Sequence, residues 1–302
     1  MSLKDVNQPL VTVLTNTFNR ANLIHRCIES IQKQTYQNYE HIIIDGNSTD
    51  DTERVVKAYN DSHIVYIKLN DRGPEKQMRA GSSIAKGKYI TFLDDDDEYL
   101  PDKLEKQVRY FESLPYEIGL VYCWMTYYDN SNPTIPVRIH KTELKGDVSD
   151  ICVSAPLVCG TPTMMVRKDV FMSVGGTFDD SSGIIGSDWE LFARVCQKCH
   201  VDYIPESLIR VYLNHGFSRL STDFYAEKAS KTIAFHKHFL AEFKSNFDRH
   251  PEYRFLHYYN LCYAYASLGE KKEAWHYFQL LQSCRPSLKK NLRLLIKILF
   301  NK

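Results

Sequence analysis

The residues with the most chemistry in this chain are five consecutive acids, Asp94-Asp95-Asp96-Asp97-Glu98. Packed at this spacing they repel one another unless water screens them or a cation neutralises them. A run of charge is ordinarily just a solvated loop. Here it directly follows Tyr89-Ile90-Thr91-Phe92-Leu93, an uncharged β-forming run that reads as a buried strand. In open α/β sheets ligands bind at the carboxyl ends of strands, so this placement favours a metal and phosphate site. Two other acids stand where a chain turns. Asp45 ends the apolar run Tyr39–Ile44, and Asp188 opens Ser187-Asp188-Trp189-Glu190. Each also has a plain structural use, Asp45 as a turn or capping residue and Asp188 as a carboxylate at a helix N-terminus.

The elements that must position these acids follow from periodicity. Leu10–Thr15 is a short apolar strand with the polar break Asn16–Arg20 after it. Ala21–Gln34 is a helix with Leu23, Cys27, Ile28 and Ile31 on one face. Tyr39–Ile44 and Ile64–Leu69 are two further strands around a helix whose Val55, Val56 and Tyr59 face inward. Lys76–Lys86 is a helix closed at Gly87, and Pro101 opens the helix after the acids. This strand–helix alternation predicts an α/β fold, a mostly parallel sheet flanked by helices, with right-handed crossovers. The loops after the first, second and fourth strands should then line one edge of the sheet together.

Further along, Gly119–Tyr128 and Thr163–Arg167 read as strands, and Tyr203–Tyr212 as an edge strand because it contains Pro205. Residues 129–160, rich in Asn, Pro, Thr and Ser, read as loops covering the site. A helix starts at Ser187, with Leu191, Phe192, Val195 and Cys196 inward. From Phe224 the pattern becomes helical. The expected organisation is therefore a main domain over 1–222 and a helical C-terminal region over 223–302. Within the latter, 253–286 resembles a single tetratricopeptide-type helix pair. In 288–300, Leu288, Leu292, Leu295 and Leu299 share a face beside Lys289, Lys290, Arg293 and Lys297. That composition suits a helix on an anionic membrane surface, and equally a helix capping the C-terminal bundle.

Composition bounds the rest. The 302 residues are 43% hydrophobic and 25% charged, enough for a sizeable core, and a net charge of +1 gives no global argument for nucleic acid or acidic partners, so no nucleic acid is expected. Eight dispersed cysteines without a signal peptide suggest reduced thiols in a cytoplasm. No apolar run approaches the roughly 18 residues of a membrane span. Cys196-Gln-Lys-Cys199-His200 matches a haem-attachment pattern, but it continues an amphipathic helix and reads as chance. The acidic run is not a calcium loop, because Tyr99 takes the glycine position and Pro101 intrudes. No P-loop and no G-x-G-x-x-G are present.

Four segments, in order, resemble the family 2 glycosyltransferases, inverting enzymes of GT-A fold. Val11–Arg20 resembles the family's first strand and loop. Ser30–Tyr36 together with Ile43–Thr52 resembles its nucleotide-binding segment. Gly81–Asp97 resembles the helix leading into its D-x-D motif. Ser187-Asp188-Trp189, with Arg210 and His215-Gly-Phe-Ser218, resembles the acidic catalytic motif and the basic loop after it. The likeness covers about residues 9–222. Asn16 replaces a common proline, Met78-Arg79 stands where an Arg-Asn pair is frequent, and Ser187 replaces a Glu; these departures bear on the sugar and acceptor.

The resemblance implies a nucleotide-sugar donor, uridine-linked, held with Mn2+ or Mg2+. It assigns Asp96 as metal ligand and Asp94 as a nucleotide or ribose contact, with Asp95 able to serve either role. Asp45 would accept the imide N–H of uracil, with Thr15 and Asn19 bordering that pocket. Arg210 and His215 would approach the diphosphate, and Arg79 is a further phosphate candidate. Asp188 would be the general base that deprotonates the acceptor hydroxyl. The implied setting is bacterial polysaccharide or glycoconjugate synthesis on a glycan or lipid-linked acceptor, at the cytoplasmic face of the membrane. Two other functions stand beside this one. A metal-dependent nucleotidyltransferase also places carboxylates at strand ends, but Asn16–Arg20 lacks the Gly-rich, Lys-containing loop it would want. A non-catalytic sugar-binding or assembly protein would use the same pocket without turnover.

Overall fold

Val11–Thr17 (β1) is buried almost throughout, and Tyr39–Asp45 (β2) is buried at every position. Strands hidden on both faces are expected to sit in a parallel sheet covered by helices, and β1 pairs with β2 in parallel, Val11 opposite Tyr39 through Thr17 opposite Asp45. The structure, a computed structural model, describes residues 10–157, 160–177, 187–216 and 228–284. The basic stripe at 288–300 and Phe217-Ser218 lie outside these described residues.

Between β1 and β2 runs Ile24–Gln32 (α1), followed by Thr52–Ala58 (α2), Ile64–Lys68 (β3), Pro74–Ile84 (α3) and Tyr89–Phe92 (β4). After β4 come Glu98–Tyr99 (β5), Lys103–Glu112 (α4), Ile118–Asp129 (β6), Asn132–His140 (β7), Met164–Arg167 (β8), Lys168–Ser173 (α5), Ser187–Cys196 (α6) and His200–Leu213 (β9). One nine-stranded sheet results, in the order β3-β2-β1-β4-β8-β6-β9-β5, with β7 paired to β6. The first four strands are mutually parallel, so the loops after β1, β2 and β4 share one edge as expected. Beyond β4 the pairings of β8 with β4 and β6, of β5 with β9 and of β7 with β6 are antiparallel, while β6 and β9 run parallel.

Close packing fixes where the acidic turn emerges. A Cβ on Gly87, just before β4, would lie 2.4 Å from the Thr12 nitrogen, so this approach of the chain to β1 admits only glycine. Two expectations need correction. Residues 129–160 are not loop throughout, because Asn132–His140 forms β7; its β-branched Thr134, Ile135, Val137 and Ile139 supply strand propensity that the prolines masked. Tyr203–Tyr212 is not an edge but part of β9, inside β5; Pro205 is absorbed at a bulge, where the register jumps from Cys123–Ile204 to Trp124–Ser207.

The chain divides into two compact units, one drawn from Met1–Val148, Val158–Phe178 and Arg194–Gly216, the other from Ser149–Leu157, Asp179–Ala193 and Phe217–Lys302. The first holds the sheet and a core around Val11, Val13, Tyr89, Leu104, Phe111 and Val121. Among the described residues the second holds most of α6 together with Lys228–Glu242 (α7), Lys244–Arg249 (α8), Phe255–Ser267 (α9) and Lys271–Cys284 (α10). There, Leu261, Cys262 and Tyr265 of α9 pack against Ala274, Phe278 and Leu281 of α10. Among the described residues no helix is long and apolar enough to cross a membrane.

Candidate active site

The acidic run leaves the carboxyl end of β4 as a tight turn, with the Asp97 N–H donating to the Asp94 carbonyl at 3.2 Å. Each acid then meets a different part of the sheet unit. Asp94 is exposed. Asp95 is buried; its Oδ2 accepts from the Thr17 hydroxyl at 2.7 Å and its Oδ1 lies 3.6 Å from Arg20 Nε. The Asp96 Oδ2 is 2.9 Å from Nε2 of His215, a buried residue just past β9. The Asp97 Oδ1 accepts the Tyr212 N–H at 3.2 Å, and the Glu98 Oε2 accepts the Tyr212 hydroxyl at 2.8 Å. The last two acids are thus tied to β9, which gives Glu98 a structural role. Burial, and the neighbouring Asp96 charge, push the Asp95 carboxyl well above its ordinary range; Arg20 and Thr17 pull the other way.

Carboxylate oxygens of Asp94, Asp96 and Asp97 all lie within 4.8 Å of one another. Oxygen donors at this density fit a hard divalent cation such as Mn2+ or Mg2+, whose charge would offset their repulsion. Beneath the turn, the fully buried Lys103 donates to the Thr91 hydroxyl at 2.6 Å and sits 3.7 Å from the Tyr99 ring. Burial pushes its pKa down to about 7.

The β1 and β2 loops are knitted to each other beside the acids. Asn19 adopts a left-handed backbone (φ 53°), which Asn tolerates. Its N–H donates to the Ser48 hydroxyl at 2.8 Å, and its Oδ1 accepts the Thr49 N–H at 2.8 Å. Asp45 is fully buried, with Oδ1 accepting the Ser48 N–H at 2.7 Å and Oδ2 accepting the Tyr66 hydroxyl at 2.5 Å. Thr15 is likewise buried and turns toward the core, 3.0 Å from His41 Nε2 and 3.5 Å from Cys27 Sγ. The hydroxyl that reaches the acidic turn belongs to Thr17, two residues further along the same strand face. Thr17 and Arg20 contact the acidic turn and were passed over by sequence reasoning, although both lie in the first quoted loop. Gln77 was also missed; its buried amide donates to the carbonyls of Thr17 and Ile44, holding the ends of β1 and β2.

Arg79 is exposed and engages Glu75 one turn earlier in α3. Arg210 lies on β9 opposite Glu98, with its guanidinium 5.4 Å from the Tyr128 ring. Asp188 belongs to the second unit, exposed in the first turn of α6. Its neighbour Trp189 is a core residue rather than a stacking platform. The indole N–H donates to the Cys152 carbonyl at 2.7 Å, and the ring packs 4.6 Å from Phe239 and 5.0 Å from His257. Cys196 ends α6 while His200 begins β9, so the C-x-x-C-H pattern spans two elements.

Comparison with known proteins agrees with this arrangement. The family model described as Glycosyl transferase family 2 matches residues 12–175. An uncharacterised glycosyltransferase of Rickettsia prowazekii is 28% identical over 68% of this chain. The chain spans 65% of that relative, and 63% and 35% of counterparts in R. typhi and R. conorii. Among solved structures, TarS of S. aureus in complex with UDP-GlcNAc superposes with a TM-score of 0.61 at 16% identity, covering 95% of this chain and 86% of that one. A mannosyltransferase of Pyrobaculum calidifontis in complex with GDP-Man and Mn2+ gives 0.58 at 16% identity, covering 96% and 79%. The likeness of the sheet and its flanking helices to these proteins is that of the GT-A fold. With the acidic turn at the end of β4 and the matched span running from β1 through α5, the chain belongs to glycosyltransferase family 2.

Proposed function

We propose that this chain moves a sugar from a uridine-diphosphate sugar to an acceptor hydroxyl, with inversion at the anomeric carbon and with Mn2+ or Mg2+ at the acidic turn. One observation carries the proposal: three carboxylates within 4.8 Å at the carboxyl end of β4, where α/β sheets bind ligands. A bound divalent cation supplies charge stabilisation for the departing diphosphate. Asp96 is the residue to hold it, with its clustered neighbours Asp94 and Asp97; Asp94 also meets the nucleotide, Asp95 lies beside them and His215 stands at the diphosphate end. Arg210 and Arg79 are the cations assigned to phosphate. The uracil sits over the β1 and β2 loops, where its imide N–H takes the place of the Tyr66 hydroxyl on Asp45. Thr15 and Asn19 shape that pocket from beneath. Asp188 accepts the proton of the acceptor hydroxyl. The new bond forms between that oxygen and the anomeric carbon, on the face opposite the diphosphate, as the carbon–phosphate-oxygen bond breaks.

The uridine choice is supported by UDP-GlcNAc in TarS, and the metal by Mn2+ in the Pyrobaculum calidifontis mannosyltransferase. The acceptor class is a glycan or lipid-linked glycan, with residues 1–222 carrying the donor site and 223–302 serving acceptor, partner or membrane surface. The test is product analysis with UDP-sugars and Mn2+ across an acceptor panel. Released UDP and a glycosylated acceptor are expected. Pyrophosphate as product would point to nucleotidyl transfer, and tight binding without turnover to a binding protein.

A further inference from the structure

We infer that Arg26, on α1, is a positioning residue that sets the cation affinity of the acidic turn without touching the cation. The inference rests on the donor-site proposal above. Four interactions of this one side chain reach three segments: the acidic run, the β6–β7 turn and β9. Its Nη1 donates to the Asp96 backbone carbonyl at 3.2 Å, and its Nη2 donates to Asn130 Oδ1 at 2.9 Å in the β6–β7 turn. Its Nε lies 3.7 Å from the Glu98 Oε1, and its guanidinium stacks 3.8 Å from the centre of the Tyr212 ring.

The far ends of these tethers are themselves fixed. The Asn130 N–H donates to the Leu213 carbonyl at 2.8 Å, and Tyr212 binds both Asp97 and Glu98. Arg26 therefore clamps the peptide leaving Asp96 between α1 and the end of β9. The direction of that peptide determines where the Asp94, Asp96 and Asp97 carboxylates converge. A turn of five adjacent acids would otherwise relax outward under its own repulsion. A planar guanidinium can donate to two acceptors and stack at once, whereas an ammonium is a point charge. The chemistry therefore asks for Arg and not merely for a positive charge.

The experiment measures Mn2+ affinity, by calorimetry and by electron paramagnetic resonance, alongside the Mn2+ dependence of turnover. Arg26→Met should weaken Mn2+ binding by about tenfold, the range seen when groups that orient metal ligands are removed. Arg26→Lys should restore only part of the loss, and kcat at saturating Mn2+ should stay near wild type. Arg54→Met, which removes an exposed pair with Asp51 on α2, should change nothing. A purely structural role for Arg26 would lower the melting temperature and leave the Mn2+ affinity alone, and that result overturns the inference. Should Arg26→Met fail to fold, Asn130→Ala removes one tether and should still weaken Mn2+ binding; unchanged affinity there overturns it equally. A wild-type chain that binds no Mn2+ removes the donor-site proposal and the inference with it. Wild-type binding with indifferent Arg26 variants removes the inference alone.

Discussion

Asp96 shares its Oδ2 with His215 at 2.9 Å, while Asp95 beside it is occupied by Thr17 and Arg20. Of the two, Asp96 is the acid that faces its fellow carboxylates Asp94 and Asp97. Replacing Asp96 with Ala should therefore reduce Mn2+-dependent UDP binding by tenfold or more, about 1.4 kcal/mol per decade. Unchanged affinity in equilibrium titration would remove Asp96 from the metal site. Asp188→Asn should behave oppositely. As the proposed general base it should lower kcat by about 10²- to 10⁴-fold while nucleotide affinity is kept. Lost UDP binding in that variant would assign Asp188 a structural role instead. Tyr66→Phe tests the uracil contact at Asp45. Deleting a hydroxyl that competes for Oδ2 should leave UDP binding intact or tighter, and a large loss would mean that Tyr66 serves the base directly.

At the scale of elements, β1 through β4 were legible because their apolar runs and the helical periodicity between them admit one architecture. The acidic turn was legible for the same reason: a strand end and a charge run coincide at residue 93. What the sequence hid lies in pairings across distance. Asp96 meets His215 across 119 positions only because β9 returns beside β5, and no local pattern encodes that. Thr15 and Thr17 look alike in sequence, yet depth along β1 sends one to Cys27 and the other to Asp95. The helical unit shows a further hidden device. His257 Nε2 lies 3.0 Å from the Val153 carbonyl, so that nitrogen carries the proton and Nδ1 accepts from His236 Nδ1–H at 2.9 Å. Burial lowers the pKa of His236 to about 3 and of His257 to about 4, and in the sheet unit that of His41 to about 3. Folded, these rings stay neutral where the unfolded chain takes up protons. Stability should therefore be full above pH 6.5 and fall as pH drops from 6.5 toward 4, by several kcal/mol in all. Urea unfolding over that range should show the slope. His236→Gln should flatten it, and an unaltered slope would assign the acid sensitivity elsewhere.

For the whole chain, ligand linkage offers the most direct reading of what the fold is for. A ligand that binds only the native state stabilises it by RT ln(1 + [L]/Kd), about 2.7 kcal/mol at a hundredfold excess over Kd. For a domain of 150–250 residues each kcal/mol moves the midpoint by about 2–4 °C, so Mn2+ with UDP at such an excess should raise it by about 5–10 °C. The gain should fall on the transition of the sheet unit, because Asp94, Asp96, Asp97, Asp45 and Asn19 all belong to it. Where two transitions are resolved by calorimetry, the helical unit's should stay in place, since the helices from α7 to α10 contribute no residue to the acidic turn. Chelation with EDTA should remove most of the shift, Asp96→Ala should remove it too, and Asp188→Asn should preserve it. A shift that survives EDTA would show nucleotide binding without a metal and would break the link between the carboxylate cluster and the diphosphate. A shift confined to the helical unit would place the nucleotide away from the β-strand ends, against the expectation for a parallel sheet whose loops converge there.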